Sequence, residues 1–94
     1  MYDAELKRMR ELIRARRYVM TLHAEEEMEA DDLAVFDIES VIRTGQVTER
    51  QRDRQSDEWK YLVRGQALSG AVVTVVAKFS VTDKLVLITV FREW

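Results

Sequence analysis

The sequence predicts an α+β fold: a helix, a short strand, two short helices, then an antiparallel meander of four strands. Three observations carry that prediction. Apolar residues recur at helical spacing in two of the segments before Gly45, and alternation replaces that spacing after it. The later apolar runs are separated by the short stretches "DRQSD", "GQALSG" and "SVTD", the length that hairpins need. Helices set apart from antiparallel strands define the α+β class.

In "YDAELKRMRELIRARR", Tyr2, Leu6, Met9 and Ile13 form an apolar stripe, so residues 1–17 read as an N-terminal helix. Asp3 and Glu5 suit the positive end of its dipole, and Arg14, Arg16 and Arg17 the negative end. Lys7, Arg10, Arg14 and Arg17 share another face. Its plain reading is a solvated surface, and its sharper reading a surface for an acidic partner or RNA. "YVMTL" reads as a short strand, after which Thr21 caps a helix that opens with Glu25, Glu26 and Glu27. In "LAVFDIESVIRTG", Val35, Ile38, Val41 and Ile42 make a buried stripe, with Gly45 as a left-handed stop. "QVTERQ" alternates weakly. "WKYLVRG" places Trp59, Tyr61 and Val63 on one face and Lys60, Leu62 and Arg64 on the other. "AVVTVVAKF" and "KLVLITVFR" are apolar on both faces, as central strands are.

Ninety-four residues without proline, repeat or linker make one domain, with 1–17 expected as a helical extension on a core of 18–94. The chain is 47% apolar and 34% charged, which excludes a disordered chain. It lacks cysteine, which excludes disulfides and thiolate metal sites. No apolar run approaches the roughly 18 residues of a membrane span, and the N-terminus is too charged for a signal peptide. A cytoplasmic protein with no membrane contact is expected. The net charge of −2 argues against a strongly electrostatic nucleic-acid binder. Yet the charge is segregated. Residues 18–42 hold eight acids and no Lys or Arg, whereas 1–17 and 43–64 are basic. A chain of negative net charge can still bind anions on one side.

His23 is the only histidine. Beside a helix start it reads first as a corner residue bonding the backbone, and second as a general acid or base. No second histidine or cysteine completes a metal shell, and no phosphate-loop or dinucleotide pattern is present, so neither metal nor cofactor is expected. Nucleophile motifs are also missing. The strongest remaining set lies on the sheet. Lys60 and Arg64 point the same way from one strand, and Lys78 and Arg92 lie on neighbouring strands. Such cations can hold a phosphate and stabilise charge building on it, or simply cover a solvated face with their stems. Tyr61 is a candidate proton donor, although alternation turns it to the other face.

Taken in order, "TLHAEEEM", "DLAVFDIESVIRTGQV", "WKYLVRG", "TVVAKFS" and "KLVLITVF" resemble the bacterial family called domain of unknown function 4258, over about residues 18 to 92. The resemblance implies a fold similar to the RelE and MqsR toxins and a place as the toxin half of a toxin–antitoxin pair. Its partners are then an antitoxin protein resembling MqsA and messenger RNA, which such toxins cut without a metal. His23 matches the family's histidine, and Lys60, Tyr61 and Arg64 fall on the strand where these toxins place basic and phenolic groups. Glu27 departs from the pattern, standing where the family often has arginine, and so does Ala34, in place of a Ser or Thr cap.

Two functions follow as expectations. In the first, a metal-independent messenger RNA endoribonuclease, His23, Lys60 and Arg64 act in catalysis while Tyr61, Lys78 and Arg92 bind RNA. It requires His23, Lys60, Arg64 and Arg92 to converge on one concave surface. In the second, a non-catalytic interaction module, the acidic and basic helices pair with a partner or with a second copy as a homodimer.

Overall fold

The computed structural model describes residues 1–94 and has the expected element order. The helices and strands are α1 (Asp3–Arg14), β1 (Tyr18–Met20), α2 (Leu22–Ala30), α3 (Val35–Thr44), β2 (Gln46–Arg52), β3 (Trp59–Gln66), β4 (Val72–Phe79) and β5 (Leu85–Arg92). The strands form one sheet in the order β1-β5-β4-β3-β2. Strands β2 to β5 make the antiparallel meander. β1 joins it parallel to β5, with Tyr18 opposite Leu85 and Met20 opposite Leu87, so the sheet is mixed.

Alternation decides which side of the sheet is the core. Val63, Val73, Val75, Ala77, Leu85, Leu87 and Val90 are fully buried on one face. They meet Ile38, Val41 and Ile42 of α3 and Leu6, Met9 and Leu12 of α1 in a single cluster. Thr74 and Val76 point from β4 to the opposite face, buried but outside that cluster. α1 is therefore part of the core and not an extension beside it. Polar contacts fix it further. Arg10 donates to the carbonyls of Ile42 and Gly45, and Arg8 pairs with Asp83 in the β4–β5 turn.

Two expectations about helix ends need correction. α1 stops at Arg14 and does not run on to Arg17. Arg16 adopts the left-handed conformation, and the amides of Arg16 and Arg17 return to the carbonyls of Ile13 and Leu12. α2 ends the same way, with Asp32 left-handed and the amides of Asp32 and Leu33 bonded to Glu29 and Met28. Both are Schellman endings made without glycine. Gly45, expected as the left-handed stop of α3, is instead extended, with φ −89° and ψ −179°. Its small size matters for a different reason. A Cβ there would lie 2.5 Å from the Val41 carbonyl oxygen and 2.7 Å from that of Arg64, because α3 ends tight against β3. At the start of α3, Asp37 accepts the amide of Ala34, the one half of a capping box that needs no polar side chain at Ala34.

The acidic helix holds the edge of the sheet. β1 is only three residues long, so it covers β5 no further than Leu87. Beyond that point a bulge offsets β5 from β4, and its outer backbone groups have no strand beside them. α2 fills the gap with side chains. The Thr21 hydroxyl donates to the Ile88 carbonyl at 3.1 Å while accepting the Ala24 amide. Glu27 accepts the Val90 amide at 3.1 Å, and Asp31 accepts the Arg92 amide at 3.0 Å. Alternate residues of β5 are thus matched by Thr21, Glu27 and Asp31, a helical cover for a strand edge that would otherwise be open to pairing. Two carboxylates of this acidic helix are therefore structural. Glu27→Ala should cost about 1–3 kcal/mol, because it leaves a partly buried amide without a partner. The exposed Glu25→Ala should stay within about 0.5 kcal/mol. Urea denaturation measures both, and equal costs would contradict the edge role.

Candidate functional site

The strand register places each predicted residue. Lys60 and Arg64 do leave β3 on the same face, the one no helix covers, and Lys78 leaves β4 on that face too. Lys60 sits one residue beyond the Tyr61–Ala77 pair and so flanks Lys78. The other three residues go elsewhere. Tyr61 is 7% exposed and points into the core, edge-on to Tyr2 and Phe79. Arg92 lies opposite Val73 and so faces the helix side, where it donates to the Asp31 carbonyl and stacks on Trp94 at 4.1 Å. His23 stands on α2, at the sheet edge.

The expected convergence does not occur, and the fold gives the reasons. Tyr61 follows the alternation of β3. Antiparallel pairing sends the C-terminal ends of β4 and β5 apart, so Lys78 and Arg92 are separated by roughly 17 Å, five residues of strand. The bulge in β5 reverses the face on which Arg92 would otherwise emerge. On the uncovered face, cations also have carboxylate partners. Arg64 makes a two-pronged pair with Glu93, both bonds 2.9 Å, which raises the arginine's pKa and holds the Glu93 carboxyl below its usual range. Lys78 lies 3.2 Å from Glu58. Lys60 has no such partner. Between these charges the face is apolar, with Val19 and Phe91 partly exposed.

His23 is 67% exposed, and its Nε2 lies 3.1 Å from Oε1 of Glu27. That same oxygen accepts the Val90 amide. The imidazole therefore stands on a carboxylate already fixed to the sheet, which is how a carboxylate orients a histidine. His23, Glu27 and Asp31 follow one stripe of α2, and about 12 Å of helix separates His23 from the residue that holds Arg92.

A second surface was only half visible in the sequence. α1 and α3 leave a groove of about 240 Å³ between them, lined by Arg10, Ile13, Arg14, Arg16, Ile42 and Arg43, with Glu39 as its one acid. Arg10 is tied to backbone carbonyls. Arg14, Arg16 and Arg43 lie within 4 Å of no carboxylate. Glu39 accepts a short hydrogen bond from the Tyr18 hydroxyl. Spacing along the N-terminal helix showed Arg10 and Arg14 on one face. Arg43 comes from another helix, and no local pattern joins it to them.

Residues 20–92 match the family described as Domain of unknown function (DUF4258). The chain belongs to that family. α1 and the first two residues of β1 lie outside the match, although α1 supplies part of the core and three of the seven residues that line the arginine groove. No curated protein and no solved structure matches the chain. No helix is long and apolar enough to cross a membrane.

Tyr18 gives the groove a measurable signature. Burial, then the hydrogen bond and negative charge of Glu39, push its phenol up to about 12. This lies above the value near 10 of an unfolded chain, so the stabilisation is fully present below about pH 10 and is lost as pH rises towards 12. Tyr18→Phe should remove that share of the alkaline loss of stability. Denaturation at a series of pH values tests it, and an unchanged profile would contradict the Tyr18–Glu39 contact.

Proposed function

We propose that this protein is a non-catalytic interaction module, which docks an acidic protein segment in the groove between α1 and α3. The observation that carries the reading is where unpaired positive charge lies. Arg64 and Lys78 are engaged by carboxylates, and Arg92 by a backbone carbonyl and a tryptophan ring, which leaves Lys60 as the single unpaired cation of that predicted set. Arg14, Arg16 and Arg43 face one concave surface free of such partners. Guanidinium groups suit carboxylates, which they bind through two parallel hydrogen bonds. Ile13 and Ile42 give the groove an apolar lining, on which the aliphatic parts of a peptide can pack. Within a toxin–antitoxin pair, an antitoxin with an acidic segment is a partner of this kind.

One observation favours ribonuclease activity as a second reading: His23 is exposed and held by a fixed carboxylate, an arrangement suited to moving a proton. Induced expression separates the two. The binding reading expects normal growth and intact messenger RNA with abundant, folded wild-type protein. Growth arrest with cleaved RNA, abolished by His23→Ala in a protein that still folds, would overturn it in favour of the nuclease.

A further inference from the structure

The groove is one half of a charge asymmetry, and the same chain carries the other half. Glu25 and Glu26 lie three and four residues after Leu22 and four and three before Glu29 along α2, so the four share a face. All four are exposed. This face points away from the carboxylates that hold β5, because Glu27 and Asp31 occupy the inward side. None of the three glutamates lies within 4 Å of a cation. Leu22 is 71% exposed, a large apolar side chain at the head of an acidic stripe.

The basic groove is its chemical counterpart. Phe36, Glu39 and Arg43 share one face of α3, so the arginine wall continues into Phe36, which is 61% exposed. One surface is therefore acidic with an exposed leucine. The other is basic, with an isoleucine lining and an exposed phenylalanine nearby. Each offers what the other lacks.

Resting on the reading of the groove as a docking site, we infer that its occupant is the outward face of α2 from a second copy of this chain. Glu25, Glu26 and Glu29 of one copy meet Arg14, Arg16 and Arg43 of the other, while Leu22 packs near Ile13 and Phe36. Complementary fields of this kind steer association and fix its register. Arg14 and Arg16 stand outside the segment that matches the family, so the pairing surface depends on a helix added to it.

Sedimentation velocity on the full chain tests this, from low to high micromolar protein at about 0.05 M and about 0.5 M salt. The expected result is a species larger than the monomer at low salt, with its dissociation constant weakened at least about tenfold at high salt. Two charge-reversed variants make the test specific: Arg14→Glu with Arg43→Glu, and Glu25→Arg with Glu26→Arg. Each alone should be monomeric, since like charges then face one another. Their equimolar mixture should associate again, because reversed groove and reversed helix are complementary. Circular dichroism checks that both variants fold. A wild-type monomer throughout would overturn the inference, as would association that persists in either variant alone. A wild-type monomer that still binds a soluble poly-glutamate peptide, and loses it in the Arg14→Glu, Arg43→Glu variant, would overturn the second copy as occupant while leaving the docking groove standing.

Discussion

The free edge of β5 is the constraint from which the rest of the arrangement follows. A parallel partner as short as β1 pairs with only the first part of that strand. The remaining amides and carbonyls must find partners or stay open to another chain. α2 supplies those partners at three alternate positions, through Thr21, Glu27 and Asp31. An acidic helix is well suited to this, since carboxylates accept amide hydrogens and make stronger bonds than neutral groups do.

That role divides the acids of α2 into two sets. Glu27 and Asp31 turn inward and belong to the sheet. Glu25, Glu26 and Glu29 turn outward and remain in water. His23 lies against the inward set, so its exposed ring is positioned by a carboxylate whose first task is structural. The arginines divide in the same manner. Arg8 and Arg10 fasten α1 to the β4–β5 turn and to the end of α3, whereas Arg14, Arg16 and Arg43 face the groove. Charge near the core fixes the architecture, and these other charges have no carboxylate or cation partner within the chain.

Local patterns made most of the elements legible. Leu6 and Met9 on α1, the stripe of Ile38, Val41 and Ile42 on α3, and the alternation of β3 all appear in the buried set. The ends of α1 and α2 were harder to read, because Arg16 and Asp32 take the left-handed position that glycine usually signals. Gly45 misled in the opposite sense, being needed for close packing and not for a positive φ. The parallel pairing of β1 with β5 joins residues nearly seventy apart, which no short-range periodicity encodes. The candidate site was less legible for the same reason. Lys60 and Arg64 were placed correctly on one face because two-residue alternation places them. Arg92 was not, since the bulge breaks that alternation within β5. The inward turn of Glu27 and the meeting of Arg14 with Arg43 arise only when distant elements pack.

Amide hydrogen exchange at Val90 and Arg92 tests the division of α2 most directly. Protection reports the free energy of opening each hydrogen bond. The account predicts that both amides exchange as slowly as those of the β4–β5 ladder, although no strand lies beside them. Exchange as fast as at the outward amides of the edge strand β2 would contradict it, and would return Glu27 and Asp31 to the solvated surface.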